Sequence, residues 1–314
     1  MTSYIAKRLA GMVLVLLLVS LLSFAIIALV PGDPAAAFAD ASASPAQLAR
    51  IRHELGLDQP IGLQMLAWYG RLLHGNLGHS ILLNRSVAAA LAERLPVTLS
   101  LTGLALAAAL IAGVAAGALA AVHRARWPDQ TVMAAALLGL SVPDFWLGLM
   151  LIILFAVKLG WLPSGGFTSI QDDPVAWLRS VLLPAATLAA VQVGFIARMA
   201  RAAVLDVLGQ DFIRTADAKG LRRRRVILRH ALPNAAVPLL TVAGIAAGSL
   251  LGGAVVVEQV FSIPGVGRLI IGGILSRDYP VIQGGLLFLA LIYLLVNFAV
   301  DLLYAVADPR VRLE

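Results

Sequence analysis

Residues Val97–Val122 read VTLSLTGLALAAALIAGVAAGALAAV, without one charged side chain. At about 1.5 Å of rise per residue, a helix of this length exceeds the roughly 30 Å of hydrocarbon in a bilayer. A helix also satisfies its own backbone N–H and C=O groups, which lipid cannot do. The stretch therefore predicts a membrane-spanning helix. The composition agrees: 60% of the 314 residues are hydrophobic and 13% are charged, where a soluble domain carries about 25% charged residues.

Upstream lies a mixed region. Leu9–Val30, directly after Lys7 and Arg8, is another apolar run. It is too long for the 7–15-residue core of a signal peptide. It reads as an uncleaved first span, although Ala35–Ala39 has the small residues of a cleavage site. Pro31-Gly32-Asp33-Pro34 ends that helix, because proline has no backbone N–H to donate. Ser44-Pro45-Ala46-Gln47 marks a further helix start, with Leu48, Ile51 and Leu55 at helical spacing. Gly56-Leu57-Asp58-Gln59-Pro60 is a turn. Leu63–Leu73, with Trp68 and Tyr69, predicts an amphipathic helix at the membrane surface, and Val87–Leu95 a second one.

Downstream, apolar runs at Thr131–Val157, Val181–Leu205, Ala236–Val257 and Ile282–Ala307 bring the expected spans to six. Gly113 with Gly117, and Gly244 with Gly248, allow close approach of helix backbones within a bundle. With the amino terminus inside, residues 1–8, 123–130, 198–235 and 307–314 hold 15 of the 24 lysines and arginines. Five of the other nine lie in the long 31–95 loop, where charge bias has little weight. Both termini are thus expected to be cytoplasmic. The net charge of +7 reflects this topology, and no nucleic-acid partner is expected.

The chain has no cysteine, which excludes disulfides, thiolate metal sites and cysteine nucleophiles. His74 and His79 are five residues apart, a poor offset for one helix face, and no carboxylate cluster accompanies them; they read as surface histidines, with no metal site. No phosphate-binding loop is present, since Lys7, Lys158 and Lys219 do not follow glycine.

The polar segment 206–234 stands apart from an ordinary loop. Gln210–Gly220 predicts a short amphipathic helix with Gly220 as its C-cap and Lys219 in the last turn. Arg222–Arg225 follow, then Arg229-His230-Ala231-Leu232-Pro233-Asn234. A basic loop facing anionic lipid would account for the arginines, but not for the helix, its capping glycine or the Leu-Pro.

This segment resembles the cytoplasmic motif of ABC importer membrane subunits: Glu-Ala-Ala, three residues, Gly, nine residues, then Ile-x-Leu-Pro. Gly220, Leu232 and Pro233 fall at that spacing. Arg214-Thr215-Ala216 occupies the Glu-Ala-Ala positions, so only Ala216 matches, and His230 replaces the isoleucine. The run Asp211–Leu221 followed by Leu228–Ala235 is similar to the dipeptide/oligopeptide/nickel importer family. So are Phe261–Arg268, Arg277–Pro280, Asp301–Tyr304, Asp308–Arg310 and the opening Leu29–Pro34, the last typical of the first membrane subunit.

The resemblance implies an all-α fold with six spans, the type I ABC importer transmembrane domain, in a bacterial inner membrane. Residues 1–95 would be the first span and an extracytoplasmic region, 96–307 the transmembrane domain with its coupling segment 206–234, and 308–314 a cytoplasmic tail. Arg214, Thr215, Ala216, Asp217, Ala218, Lys219, Gly220, Leu232 and Pro233 would engage an ATPase. The partners implied are a second permease subunit in a heterodimer, two ATPase subunits that bind the ATP, an extracytoplasmic binding protein and membrane lipid; the chain has no cofactor of its own. The cargo would be di- or oligopeptides, nickel or another small solute.

Ionisable groups at membrane depth are functional candidates. Asp144, beside Pro143 in the third span, is a candidate translocation-pathway residue that favours cationic groups; a buried carboxylate satisfied by its neighbours is the other reading. Gln192 and Asn297 read as interhelical hydrogen-bonding groups, Glu258 and Asp301 as partly hydrated groups near the interfaces, and Arg198 and Arg201 as snorkelling residues. An ion-coupled secondary transporter would show internal repeats and broken helices, and a membrane-embedded enzyme a convergent catalytic set; neither pattern is evident in the sequence.

Overall fold

The apolar runs all form helices, and most extend beyond the limits that hydrophobicity sets. The computed structural model describes residues 2–29, 44–54, 58–80 and 82–307. Its helices are α1 (Thr2–Leu29), α2 (Pro45–Glu54), α3 (Ile61–Leu73), α4 (Val87–Val122), α5 (Trp127–Ser141), α6 (Asp144–Leu151), α7 (Pro174–Leu208), α8 (Asp211–Ala218), α9 (Arg223–Val226), α10 (Leu232–Val260), α11 (Val266–Ser276) and α12 (Tyr279–Ala307). Among the described residues the one strand pairing is antiparallel, β1 (His79–Ser80) with β2 (Arg85–Ser86). Five helical segments are long and apolar enough to cross a bilayer, and the bent pair formed by α5 and α6 makes a sixth. Pro31–Pro34, Ala35–Ala39, Leu55–Leu57 and the tail 308–314 lie outside the described residues.

The chain divides into two compact units. The first comprises residues 1–97 and 264–294. Here α2 opens with a reciprocal capping box: Gln47 N–H donates to Ser44 Oγ at 3.3 Å, and Ser44 N–H to Gln47 Oε1 at 2.8 Å. Helix α3 has a protein partner, which the surface-helix reading did not anticipate. Its buried Trp68 lies 6.2 Å from the Phe24 ring, and the Tyr69 hydroxyl is 2.7 Å from Ser20 Oγ on α1. Val87–Leu95 is no separate helix either, because the α-helix continues through Pro96. Val87 and Leu91 of α4 pack with Leu269 and Ile270 of α11 and Val281 of α12. Ser80 donates a hydrogen bond to the Asp278 carboxylate, pinning the hairpin to the turn between α11 and α12.

The second unit, residues 98–263 and 295–314, is organised around α7. Side chains of this 35-residue helix are buried along nearly its whole length, and on several faces in its middle. Close approach explains Gly113: a Cβ there would lie 2.8 Å from Ile196 Cβ on α7. Gln192 on α7 donates to Ser249 Oγ on α10 at 3.0 Å, an interhelical bond of the kind expected. Glu258 departs from the interfacial reading. It is fully buried and accepts a 2.6 Å hydrogen bond from Thr98 Oγ1.

The third span is broken. α5 and α6 meet at 101° across Val142-Pro143. Pro143 cannot donate to the preceding turn, and its ring drives Val142 out of helical geometry, to ψ 125°. Broken helices are therefore present after all, and this feature does not separate a secondary transporter from an importer.

Candidate coupling site

Helix α8 is short, yet it is firmly seated. Its sequence DFIRTADA places Ile213 and Ala216 on one face, three residues apart, and both are buried. They enter a core with Ala118 and Ala121 of α4, Val204 and Val207 of α7, Val226 of α9, and Ala231 and Ala235. Phe212, Arg214, Thr215, Asp217, Ala218 and Lys219 remain exposed around this anchor.

Gly220 ends the helix in the left-handed region at φ +72°. Its N–H donates to Asp217 C=O at 2.9 Å, while Leu221 N–H reaches Ala216 C=O at 3.4 Å. These two bonds are a Schellman motif, and Leu221 packs against the core that holds Ala216. Arg223 then closes back on Asp217 at 3.2 Å. An i→i+5 turn over Ile227–Ala231 joins α9 to α10. The wider turn accommodates Pro233, whose ring clashes with the Arg229 carbonyl in regular α geometry. Leu232 is partly buried against the core, and Pro233 is exposed.

An aspartate opens each half of the broken span. Asp129, in the first turn of α5, is buried and accepts two bonds from Arg201 of α7, Nε to Oδ1 at 2.5 Å and Nη2 to Oδ2 at 2.7 Å. Ala125 N–H donates to the same carboxylate at 2.9 Å. Asp144, the first residue of α6, is half-buried. Its Oδ2 would lie 3.3 Å from a Cβ built on Gly253 of α10, and Leu188 of α7 flanks the same position.

Two family descriptions match consecutive parts of this chain. Residues 113–313 match the binding-protein-dependent transport system inner membrane component. Residues 1–102 match the amino-terminal part of a binding-protein-dependent transport system membrane component. The chain belongs to this family. The permease is 49% identical, over the whole of both chains, to a protein of Brucella abortus (strain 2308) named as a peptide transport system permease. It is 43% identical to the glutathione transport system permease protein GsiC of Escherichia coli (strain K12), covering 99% of each. Among solved structures, the methionine ABC transporter MetNI in inward-facing conformations superimposes with a TM-score of 0.57. That likeness covers 69% of the permease and 96% of the MetNI chain at 23% identity, and it shows the importer transmembrane fold.

The permease is thus a multi-pass inner-membrane subunit of a bacterial ABC importer; it is not itself an ATPase, and it works with ATPase and binding-protein partners. Of the residues singled out by the motif, Arg214, Thr215, Asp217, Ala218, Lys219, Gly220 and Pro233 are exposed, while Ala216 and Leu232 turn toward the core. The Asp129–Arg201 pair escaped the sequence reading, which gave Arg201 a snorkelling role. Asp129 stands just after Trp127-Pro128 in a basic loop, an ordinary helix-start position, and nothing local links it to α7. Arg198 is exposed, consistent with snorkelling. His74 Nδ1 lies 2.8 Å from the Gly70 carbonyl oxygen at the end of α3, and His79 takes part in the strand pairing.

Proposed function

We infer that the permease forms half of the translocation pathway of a peptide importer, and that α8 is the element through which an ATPase drives it. The observation that carries this reading is the construction of α8. Two side chains anchor it in the core and a glycine cap fixes its end, while an exposed polar face is left over. A helix held that way transmits a push to α4, α7 and α10 instead of fraying under it.

In this reading 206–234 and both termini face the cytoplasm, consistent with the distribution of lysine and arginine. The complete importer contains a second permease subunit in a heterodimer and two ATPase subunits, with a binding protein delivering cargo from outside. Arg214, Thr215, Asp217, Ala218, Lys219 and Gly220 enter the ATPase groove, and Leu232 and Pro233 hold the following helix in register. ATP-driven closure of the ATPases then moves the spans from inward-facing to outward-facing. Peptides are favoured as cargo over nickel because the near-full-length relatives carry peptide and glutathione names, and glutathione is itself a tripeptide.

Asp144 is the pathway residue in this account. A carboxylate at membrane depth, between α7 and α10, suits the ammonium group of a peptide amino terminus. The test is uptake by vesicles containing the reconstituted importer. Arg214→Glu and Ala218→Trp are expected to abolish ATP-dependent uptake and release the ATPase during purification. Uptake that persists without any ATPase would overturn the reading.

A further inference from the structure

We propose that Asp129 and Arg201 form the strut that carries motion of the coupling core into the broken span, making both positioning residues for transport. The proposal rests on α8 being the coupling helix and adds the route by which its motion leaves the core.

The first support is geometric. The guanidinium of Arg201 grips both carboxylate oxygens of Asp129. A bidentate fork fixes an angle as well as a distance, unlike a single-point contact. The carboxylate is 5% exposed and the arginine side chain 28%, so solvent screens the pair far less than a surface bridge. Ala125 N–H supplies a third bond, with Ala125 itself held at φ +62°, a conformation L-residues seldom adopt. The loop before α5 is therefore pinned to the same carboxylate.

The second support is position. Arg201 lies one turn before Val204 and two before Val207, both in the core that receives Ile213 and Ala216 of α8. Its backbone is also pressed against α4, since a Cβ on Gly117 would lie 2.9 Å from Arg201 N. A displacement of α8 thus moves the ends of α7 and α4 together. Arg201 is the side chain that passes this displacement to α5, and α5 ends at the break that precedes Asp144. An apolar pair would hold the helices together as well as an ion pair does. The fork adds directional transmission between elements that must shift as one.

The experiment uses the whole importer in vesicles, with Asp129→Asn, Arg201→Lys and the exchange Asp129→Arg/Arg201→Asp. Three quantities are read on assembled complexes: basal ATP hydrolysis, its stimulation by loaded binding protein, and cargo transported per ATP. Each single variant is expected to leave basal hydrolysis near its usual rate and to lower stimulation and cargo per ATP by about tenfold, within the range for residues along a coupling network. The exchange is expected to restore most of that loss. A purely structural pair would lower the yield of assembled complex without changing these ratios. Full stimulation in assembled Arg201→Lys and Asp129→Asn complexes would overturn the proposal. If Asp129→Asn does not assemble, Arg201→Lys, at the more exposed partner, decides alone. Should α8 variants leave stimulation intact, the coupling reading fails and the strut, which rests on it, fails with it; loss of stimulation in α8 variants with full stimulation in the strut variants overturns the strut alone.

Discussion

Asp129 and Asp144 open the two halves of one broken span, and their surroundings differ sharply. Asp129 is buried, gripped by a guanidinium and bonded by a backbone N–H. Asp144 is half-buried, beside a glycine and a leucine. A charge taken fully out of water is tolerated only when paired, so Asp129 is fixed by its protein partners. The less buried carboxylate has room to meet something that comes and goes. Under the readings proposed above, the same residue type serves as a joint where the span begins and as a recognition group where it breaks.

The sharpest way to break this comparison is to remove the joint. Asp129→Ala leaves the Arg201 guanidinium without its carboxylate and is expected to destabilise the purified permease by about 3 kcal/mol, read as a lowered thermal midpoint. If Asp144→Ala costs as much, both aspartates are structural and the contrast disappears. Next in size is Gly220→Ala. It forces a side chain to φ +72° with open space around it, so the cost is conformational, about 1 kcal/mol by thermal or chemical unfolding. Asp144→Asn should leave stability nearly unchanged. Its effect belongs in uptake, lowering transport of peptides with a free amino terminus by several-fold relative to their N-acetylated forms. Equal loss for both forms would remove Asp144 from cargo recognition. The smallest stability effect is expected for Arg214→Ala, whose side chain is exposed and paired loosely with Asp211 at 3.3 Å. It should fall within about 0.5 kcal/mol while still weakening ATPase association in co-purification.

Much of the fold was legible because the spans announce themselves through uninterrupted apolar length. Gly220 was legible too, since a helix that must stop in a left-handed turn favours glycine. Other features depend on pairings distant in sequence. The stretch from Thr131 to Val157 is apolar enough on both sides of Ser141–Asp144 to read as one straight span, so the 101° bend at Pro143 is visible only in the structure. Trp68 looked like an interfacial anchor because its partner, Phe24, lies on another helix. Glu258 was assigned partial hydration, whereas Thr98 satisfies it from α4. Ala216 matches the motif's contact position, yet its three-residue spacing from Ile213 puts it on the apolar face that turns inward.

The central claim is that the exposed face of α8 is what the ATPase covers. Because the chain has no cysteine, a single Ala218→Cys variant carries one thiol on that face. Its labelling by a water-soluble maleimide can be timed on the detergent-solubilised permease with and without the ATPase subunits, with the exposed Leu275→Cys on α11 as the control. Protection of position 218 by the ATPase, with position 275 indifferent to it, is the predicted result. Equal labelling rates at position 218 in the presence and absence of the ATPase would contradict the account.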